Sequence, residues 1–589
     1  MGTAGDDTFN GLVSTTSDDT TFNPADLVDG GDGNDTFRLR LIDEDGAVNN
    51  TTPETPAAGD DNVSSAGRSV DNVENLEIET VFADADNDDG NATVNLGDFN
   101  DLESVEVVRL RSDDTDDDLN DHDNLTLNEL ATSQDFTISG SDFSHDITVN
   151  YDTTPTDVGV TLSGSGFSEL IANGDIETFT VTGTGGSSNS ATLDTNDGGV
   201  LSNLKFEGDQ DTDITVAGGS FDSNADTLTV DASTLGGAMT VDVNLTSAFD
   251  ITGSSNEDTV EADTTGGNID DGLTMSGVET LIANAVTGET VDLTNADGLN
   301  TVGLRGNFGS DITYTEVADG CSVELLADGE GGDEFSNAES GTTNDGSSDA
   351  ENVGDVTVEI ADASSNDPAD SVTVNINNRG TALGTDDVDG DGEQEDNVLT
   401  TGSITANNVA AVTFVASDGA VNLDKGIGTD NAETLTFEAS DDLSINDGDN
   451  TGQGIIGDEA TTTTIDASGV SGAFNAGIVE DLENDAAIFG AAGDDTIALG
   501  NQRVGDSSLE ISVETGTGDD TFSFGSLDDA DGDNEDNELQ VDLGDGDDTV
   551  DVDGTAIGAS NENSAIDFGD GDDLLDATDG AADIGNLAQ

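Results

Sequence analysis

The chain has 589 residues, 10 of them Lys or Arg and 131 Asp or Glu, for a net charge of −121. Such a polyanion excludes nucleic acid and anionic membranes as partners, because both need a cationic footprint. No apolar run reaches the roughly 18 residues of a transmembrane helix.

The single cysteine, Cys321, excludes an intrachain disulfide framework and any Cys-based metal cluster. With only His122 and His145, a multi-His centre is excluded too. Trp is absent and aromatics make up 4%, which argues against a sugar-stacking cleft. HExxH and GxSxG are missing, and Ser144-His145-Asp146 are only chain neighbours, whereas a catalytic triad is assembled from distant segments. No enzyme is expected.

Low hydrophobicity with high charge is ordinarily a sign of disorder. Here, however, apolar residues alternate in short runs such as Thr227–Asp231, Met239–Leu245, Asp355–Ile360 and Ser371–Ile376. Period-two runs bounded by Gly, Asp, Asn and Ser read as strands. No 3.6-residue pattern is sustained, and 74 glycines disfavour long helices. The expected fold is all-β, with short strands in a parallel β-solenoid or β-roll-like stack. Two carboxylates about 4 Å apart repel by roughly 1 kcal/mol even in water, so compaction needs bound cations or strong screening by salt.

In chain order, residues 1–64 read as an N-terminal module built on two turns. Gly2-Thr3-Ala4-Gly5-Asp6-Asp7-Thr8-Phe9 is a degenerate copy of the nonapeptide GGxGxDxUx, and Gly30-Gly31-Asp32-Gly33-Asn34-Asp35-Thr36-Phe37-Arg38 matches it at every fixed position. That nonapeptide is the calcium β-roll repeat. Its glycines permit a tight turn that points carbonyls inward, the Asp supplies a hard carboxylate, and the apolar residue enters the core as a strand begins. The predicted ligands in the first module are Asp7, Gly30, Asp32, Asn34 and Asp35.

Residues 65–167, 168–269, 270–400 and 401–485 read as four β-repeats. Their shared signature, apolar-Glu-x-apolar, stands at Val73-Glu74-Asn75-Leu76, Ile176-Glu177-Thr178-Phe179 and Val278-Glu279-Thr280-Leu281, spaced 103 and 102. A weaker copy, Val409 to Phe414, lies about 130 residues further on, which implies one insertion of about 28 residues. The acidic stretches 328–351 and 386–397 are its candidates. Within the second repeat, Gly253-Ser254-Ser255-Asn256-Glu257-Asp258-Thr259-Val260 is a weak calcium turn, with Asp258 as ligand. Within the third, Asp387, Asp389 and Asp391 occupy the spacing of an EF-hand loop, but position 12 is Val398 instead of Glu. An independent calcium loop and a solvated acidic turn both fit there, as they do at Asp529, Asp531 and Asp533.

Residues 486–589 form the C-terminal module. Four more turns start at Gly490, Gly516, Gly544 and Gly569, with their fourth-position glycines spaced 25, 28 and 25. One calcium turn per longer coil of a stacked solenoid is the geometry this spacing implies. The ligands predicted here are Asp494, Asp495, Asp520, Asp545, Asp548, Asp570 and Asp573.

The glycine-aspartate turns, the Val/Ile-Glu-x-Leu strands and the Thr/Ala/Asn/Gly-rich filler resemble bacterial RTX-type surface-layer proteins, in style the lattice-forming part of the Caulobacter type. The resemblance implies an extracellular, secreted protein whose folding and self-assembly into a two-dimensional surface layer depend on several Ca2+ ions. It also implies export by a one-step type I system; Met1 to Asp6 has neither the basic nor the apolar region of a cleaved signal. The expected partners are further copies of the chain and a cell-surface glycan or lipopolysaccharide anchor. A calcium-stabilised filament or adhesin of the same modules is the alternative, since a single head-to-tail contact gives a fibre. Two lysines, Lys205 and Lys425, beside 131 acids also suit a halophilic protein kept soluble in concentrated salt.

Overall fold

The computed structural model describes residues 2–576 except 44–61, 83–90, 111–122, 265–272, 327–350, 361–370, 378–397, 446–454, 530–537, 552–564 and connecting segments of six residues or fewer. Among the described residues the regular structure is β-strand, apart from one 3-10 turn at Leu96–Asp98. Each strand bonds in parallel to the strands one coil before and one coil after it, which makes the fold a parallel β-solenoid. The chain divides into two compact units, one of Met1–Ala262, Asp271–Glu279 and Ala296–Gly298, the other of Asp263–Asp270, Thr280–Asn295 and Leu299–Gln589.

In the first unit each coil supplies a strand to each of two ladders. One ladder contains strands beginning at residues 157, 178, 203, 228, 249 and 273, so a coil takes 21 to 25 residues there. The other runs through Asn91–Asn95, Asp123–Leu130, Asp142–Tyr151, Gly166–Asn173, Asn189–Asp194, Thr212–Val216 and Met239–Asn244. Alternation decides the faces. In Thr178–Thr184 the odd-numbered residues Phe179, Val181 and Gly183 are buried, while Thr178, Thr180 and Thr182 lie nearer solvent.

The second unit carries three strands per coil over much of its length, as in Ile404–Asn407, Ala411–Ser417 and Ala420–Leu423. Two of its ladders converge on one strand, Phe474–Glu480. Leu443 pairs with Phe474 at one end of this strand, and Ile455 with Val479 at the other. Gly477, at φ +59°, allows the bend between them. From there a single ladder continues through Thr496–Leu499, Thr521–Phe524, Thr549–Asp551 and Leu574–Asp576.

The repeating structural unit is the coil, and the first and last intervals of the long sequence period each span four of them. Asn75–Phe82 and Thr178–Thr184 are four rungs apart in one ladder. Thr280–Ala285 and Ala411–Ser417 are four rungs apart in a ladder of the second unit. Module boundaries read from sequence cut across this order: 167/168 falls inside Gly166–Asn173 and 400/401 inside Val398–Thr401. In the second unit's ladder, strands begin at 301, 322, 372, 411 and 434, so the extra chain enters in the coils after 322 and 372. The two candidate insertions lie there, almost wholly outside the described residues.

In-register stacking turns each inward position into a column. Phe414 and Phe437, partners in register, stack with ring centroids 5.1 Å apart, and Phe474, from another ladder, meets Phe437 at a tilt with centroids 5.2 Å apart; all three are buried. Asn95, Asn128, Asn150 and Asn173 form an amide ladder in which each Nδ2 donates to the Oδ1 of the preceding coil, at 3.0, 2.8 and 2.8 Å. Replacing Phe437 by Ala removes the ring that touches both of the others. The expected loss is about 3–5 kcal/mol, read as a lower urea midpoint for the transition of the second unit at unchanged slope.

Candidate metal sites

The motif turns are positioned by the strands that follow them. In the first unit Thr8–Ser14 pairs with Thr36–Asp43, Thr8 on Thr36, which places position six of one turn, Asp7, over position six of the next, Asp35. The Asp7 N–H donates to Asp35 Oδ1 at 2.7 Å, and the Asp35 N–H donates to Glu74 Oε2 at 2.6 Å. Position five forms a second column of opposite sense, in which the Asn34 N–H donates back to Asp6 Oδ1 at 3.0 Å.

The second unit repeats this over four coils. Inner N–H donors run from Asp495 to Asp520 Oδ1, Asp520 to Asp548 Oδ1 and Asp548 to Asp573 Oδ1, at 2.8, 2.9 and 3.1 Å. Outer donors run backward, from Asp519 to Asp494 Oδ1, Asp547 to Asp519 Oδ1 and Asp572 to Asp547 Oδ1, at 2.8, 2.8 and 2.9 Å. Turns stack closely enough to exclude a side chain: a Cβ on Gly546 would lie 1.8 Å from the Gly518 carbonyl oxygen.

The inner carboxylates are buried and the outer ones are not. Asp35, Asp258, Asp495, Asp520 and Asp548 are at most 1% exposed. Burying a carboxylate is costly unless its oxygens are satisfied. Asp258 meets that condition. Its Oδ1 accepts the Met239 N–H at 2.6 Å and the Ser254 hydroxyl at 3.0 Å, and its Oδ2 accepts the Ser254 N–H. Asp495 does too, through the Phe474 and Ala491 N–H groups at 2.8 and 2.6 Å. Asp35, Asp520 and Asp548 each keep a buried Oδ2 with no hydrogen-bond partner. Beside Asp520, the Thr515 hydroxyl donates to the Leu543 carbonyl at 2.8 Å.

Other predicted ligands are placed as follows. Gly30 is buried against the Asn72 carbonyl, and Asp32 is exposed, with its N–H on the Thr3 carbonyl. Asn34 is held by Asn75, whose Nδ2 donates to its Oδ1 at 2.6 Å. Asp494 belongs to the outer column, and Asp573 closes the inner one, partly exposed. Asp545 and Asp570 are exposed, and their carbonyls accept the Gly518 and Gly546 N–H groups. Asp387, Asp389, Asp391, Asp531 and Asp533 lie outside the described residues, as does the side chain of Asp529.

Glu74 and Glu279 extend the columns, Glu279 by accepting the Asp258 N–H at 2.8 Å. Both glutamates belong to the apolar-Glu-x-apolar signature, and their spacing from Asp35 and Asp258, one coil on, is the sequence signal that links them to the turns. Among the described residues no group of three or more His, Cys, Asp or Glu side chains is gathered as a ligand set. A cation at these turns would therefore draw most of its oxygens from the backbone, a donor class that suits calcium.

Burial is the main cause that pushes the Asp495 carboxyl up to about 7; the charges of Asp520 and Asp494 add to it, and the N–H groups of Phe474 and Ala491 oppose it. Asp520 and Asp548 are raised for the same leading reason; the Thr515 hydroxyl and the Asp495 N–H oppose it at Asp520, the Asp520 N–H opposes it at Asp548, and neighbouring aspartates add to it at both. Raised carboxyls mean that the folded state holds more protons than the unfolded one. For Asp495 this stabilising effect is complete below the ordinary carboxylate range near 4 and is lost as pH rises through about 7. In chelator, thermal unfolding of the second unit is expected at a lower temperature at pH 8 than at pH 5. A flat or rising profile would contradict the buried column. No protein-family model matches this sequence, and no curated protein matches it either.

Proposed function

We propose that this chain is an extracellular calcium-binding structural protein whose solenoids are held by Ca2+ at the glycine-aspartate turns and which self-assembles into a surface layer. The observation that carries this reading is the set of buried second carboxylate oxygens on Asp35, Asp520 and Asp548, which have no protein donor. They sit where stacked turns leave no room for a Cβ, in a chain of net charge −121. A hard divalent cation neutralises such oxygens and takes its remaining ligands from carbonyl groups, each of which keeps a second lone pair after one hydrogen bond.

At ten times its dissociation constant each independent ion adds about 1.4 kcal/mol. Three such ions would contribute roughly 4 kcal/mol, a large share of a typical domain's stability. Extracellular modules bind calcium at about 10⁻⁴ to 10⁻³ M, so the ions would enter outside the cell, where calcium is abundant. Solvent-facing acids of the outer columns then supply further positions at which ions bridge copies of the chain. The role is structural rather than catalytic.

Circular dichroism in chelator is expected to show β-structure lost and then restored by calcium chloride. Full restoration by sodium chloride alone would mean that screening, not coordination, holds the fold. Electron microscopy of calcium-loaded protein is expected to show two-dimensional sheets; fibres would favour the filament reading, and dispersed monomers would exclude assembly.

A further inference from the structure

Seven turns carry the motif, and they divide into two kinds by the residue at position two, four residues before the position-six aspartate; in the turns written from Gly516, Gly544 and Gly569 that residue is the glycine named. Where that residue is Thr3, Ser254 or Ala491, its N–H donates to Oδ2 of the aspartate four residues on, Asp7, Asp258 or Asp495. Where it is Gly31, Gly516 or Gly544, φ is +100°, +112° or +86°. In those three turns Oδ2 of Asp35, Asp520 or Asp548 is buried without a partner. Gly569 has φ +72° as well, ahead of the partly exposed Asp573.

The physical reason is local. A residue with a Cβ avoids positive φ, and here it turns its own N–H onto the carboxylate. A glycine at positive φ aims its N–H elsewhere. The glycine is also fixed by its neighbour: a Cβ on Gly516 would lie 2.5 Å from the Ala491 carbonyl oxygen, and one on Gly544 would lie 1.9 Å from that of Gly516. The non-glycine turns stand first in their columns, Asp7 before Asp35 and Asp495 before Asp520 and Asp548.

We infer that position two sorts these turns into closed ones, whose aspartate caps its own backbone, and open ones, whose aspartate is a cation ligand. Asp7, Asp258 and Asp495 are then structural caps that start each stack, and Asp35, Asp520 and Asp548 are the ligating set. The cation assignment rests on the calcium reading above; the division into closed and open turns does not. The independent mark of a ligand site is the unpartnered, fully buried Oδ2 in each open turn and in none of the closed ones.

Equilibrium dialysis of the full chain against calcium chloride tests the sorting. Asp520→Asn and Asp548→Asn are each expected to lower the number of bound ions, Asp258→Asn to leave it unchanged, and Ala491→Gly to raise it. Loss of ions in Asp258→Asn equal to that in Asp520→Asn, or no gain in Ala491→Gly, would overturn the inference. If the wild-type chain binds no calcium, the calcium reading falls while the sorting is still read in chelator. There Asp258→Asn turns an amide N–H2 toward a backbone N–H and is expected to lower the melting temperature by about 2–8 °C. Asp520→Asn removes a charge without removing an accepted bond and is expected to leave the melting temperature unchanged or raise it. Equal destabilisation by both variants would overturn the sorting.

Discussion

In a parallel, in-register solenoid every residue lies about 4.8 Å from its equivalent one coil away. That spacing is the constraint on which the rest of the structure depends, because it turns each position of the coil into a column of like groups. Some groups gain from it: phenylalanines stack, and asparagines pass an amide hydrogen bond from coil to coil. Carboxylates do not gain, since a column of them is a line of like charge partly withdrawn from water. The chain concentrates such a column at the stacked turns that contain Gly490, Gly516, Gly544 and Gly569, where successive backbones leave no room for a Cβ.

Three devices relieve that repulsion in different places. On the outer face of the first unit, Arg38 and Arg40 meet Glu77 and Glu79, and Arg109 also meets Glu79, at 2.6, 3.7 and 2.9 Å. These pairs are exposed and each contributes little, but they alternate sign across neighbouring strands. At Asp258 and Asp495 backbone N–H groups take up both carboxylate oxygens. At Asp35, Asp520 and Asp548 one oxygen is met in this way and the other is left over.

Much of the fold was legible in the sequence because its signals are local. Alternation in runs such as Asp355–Ile360 marks strands, and the 25- and 28-residue spacing of the C-terminal turns gave one turn per coil. The two-to-three strand count per coil was not legible, since it depends on where the loops between strands bend. Nor was the Asn95–Asn173 ladder, whose members fall at uneven intervals and align only once the coils are laid over one another. The turn aspartates were found as a class. Their division depends on whether position two is glycine, a residue the degenerate copies at Thr3, Ser254 and Ala491 made look like simple drift from the consensus.

Stacking creates the lines of charge, and the role proposed for a divalent ion is to let the open turns sit on one another at neutral pH. Anomalous diffraction from crystals grown in calcium chloride tests this most directly. The account predicts calcium peaks beside Oδ2 of Asp35, Asp520 and Asp548. A well-ordered solenoid with no anomalous density at any of the three would contradict it.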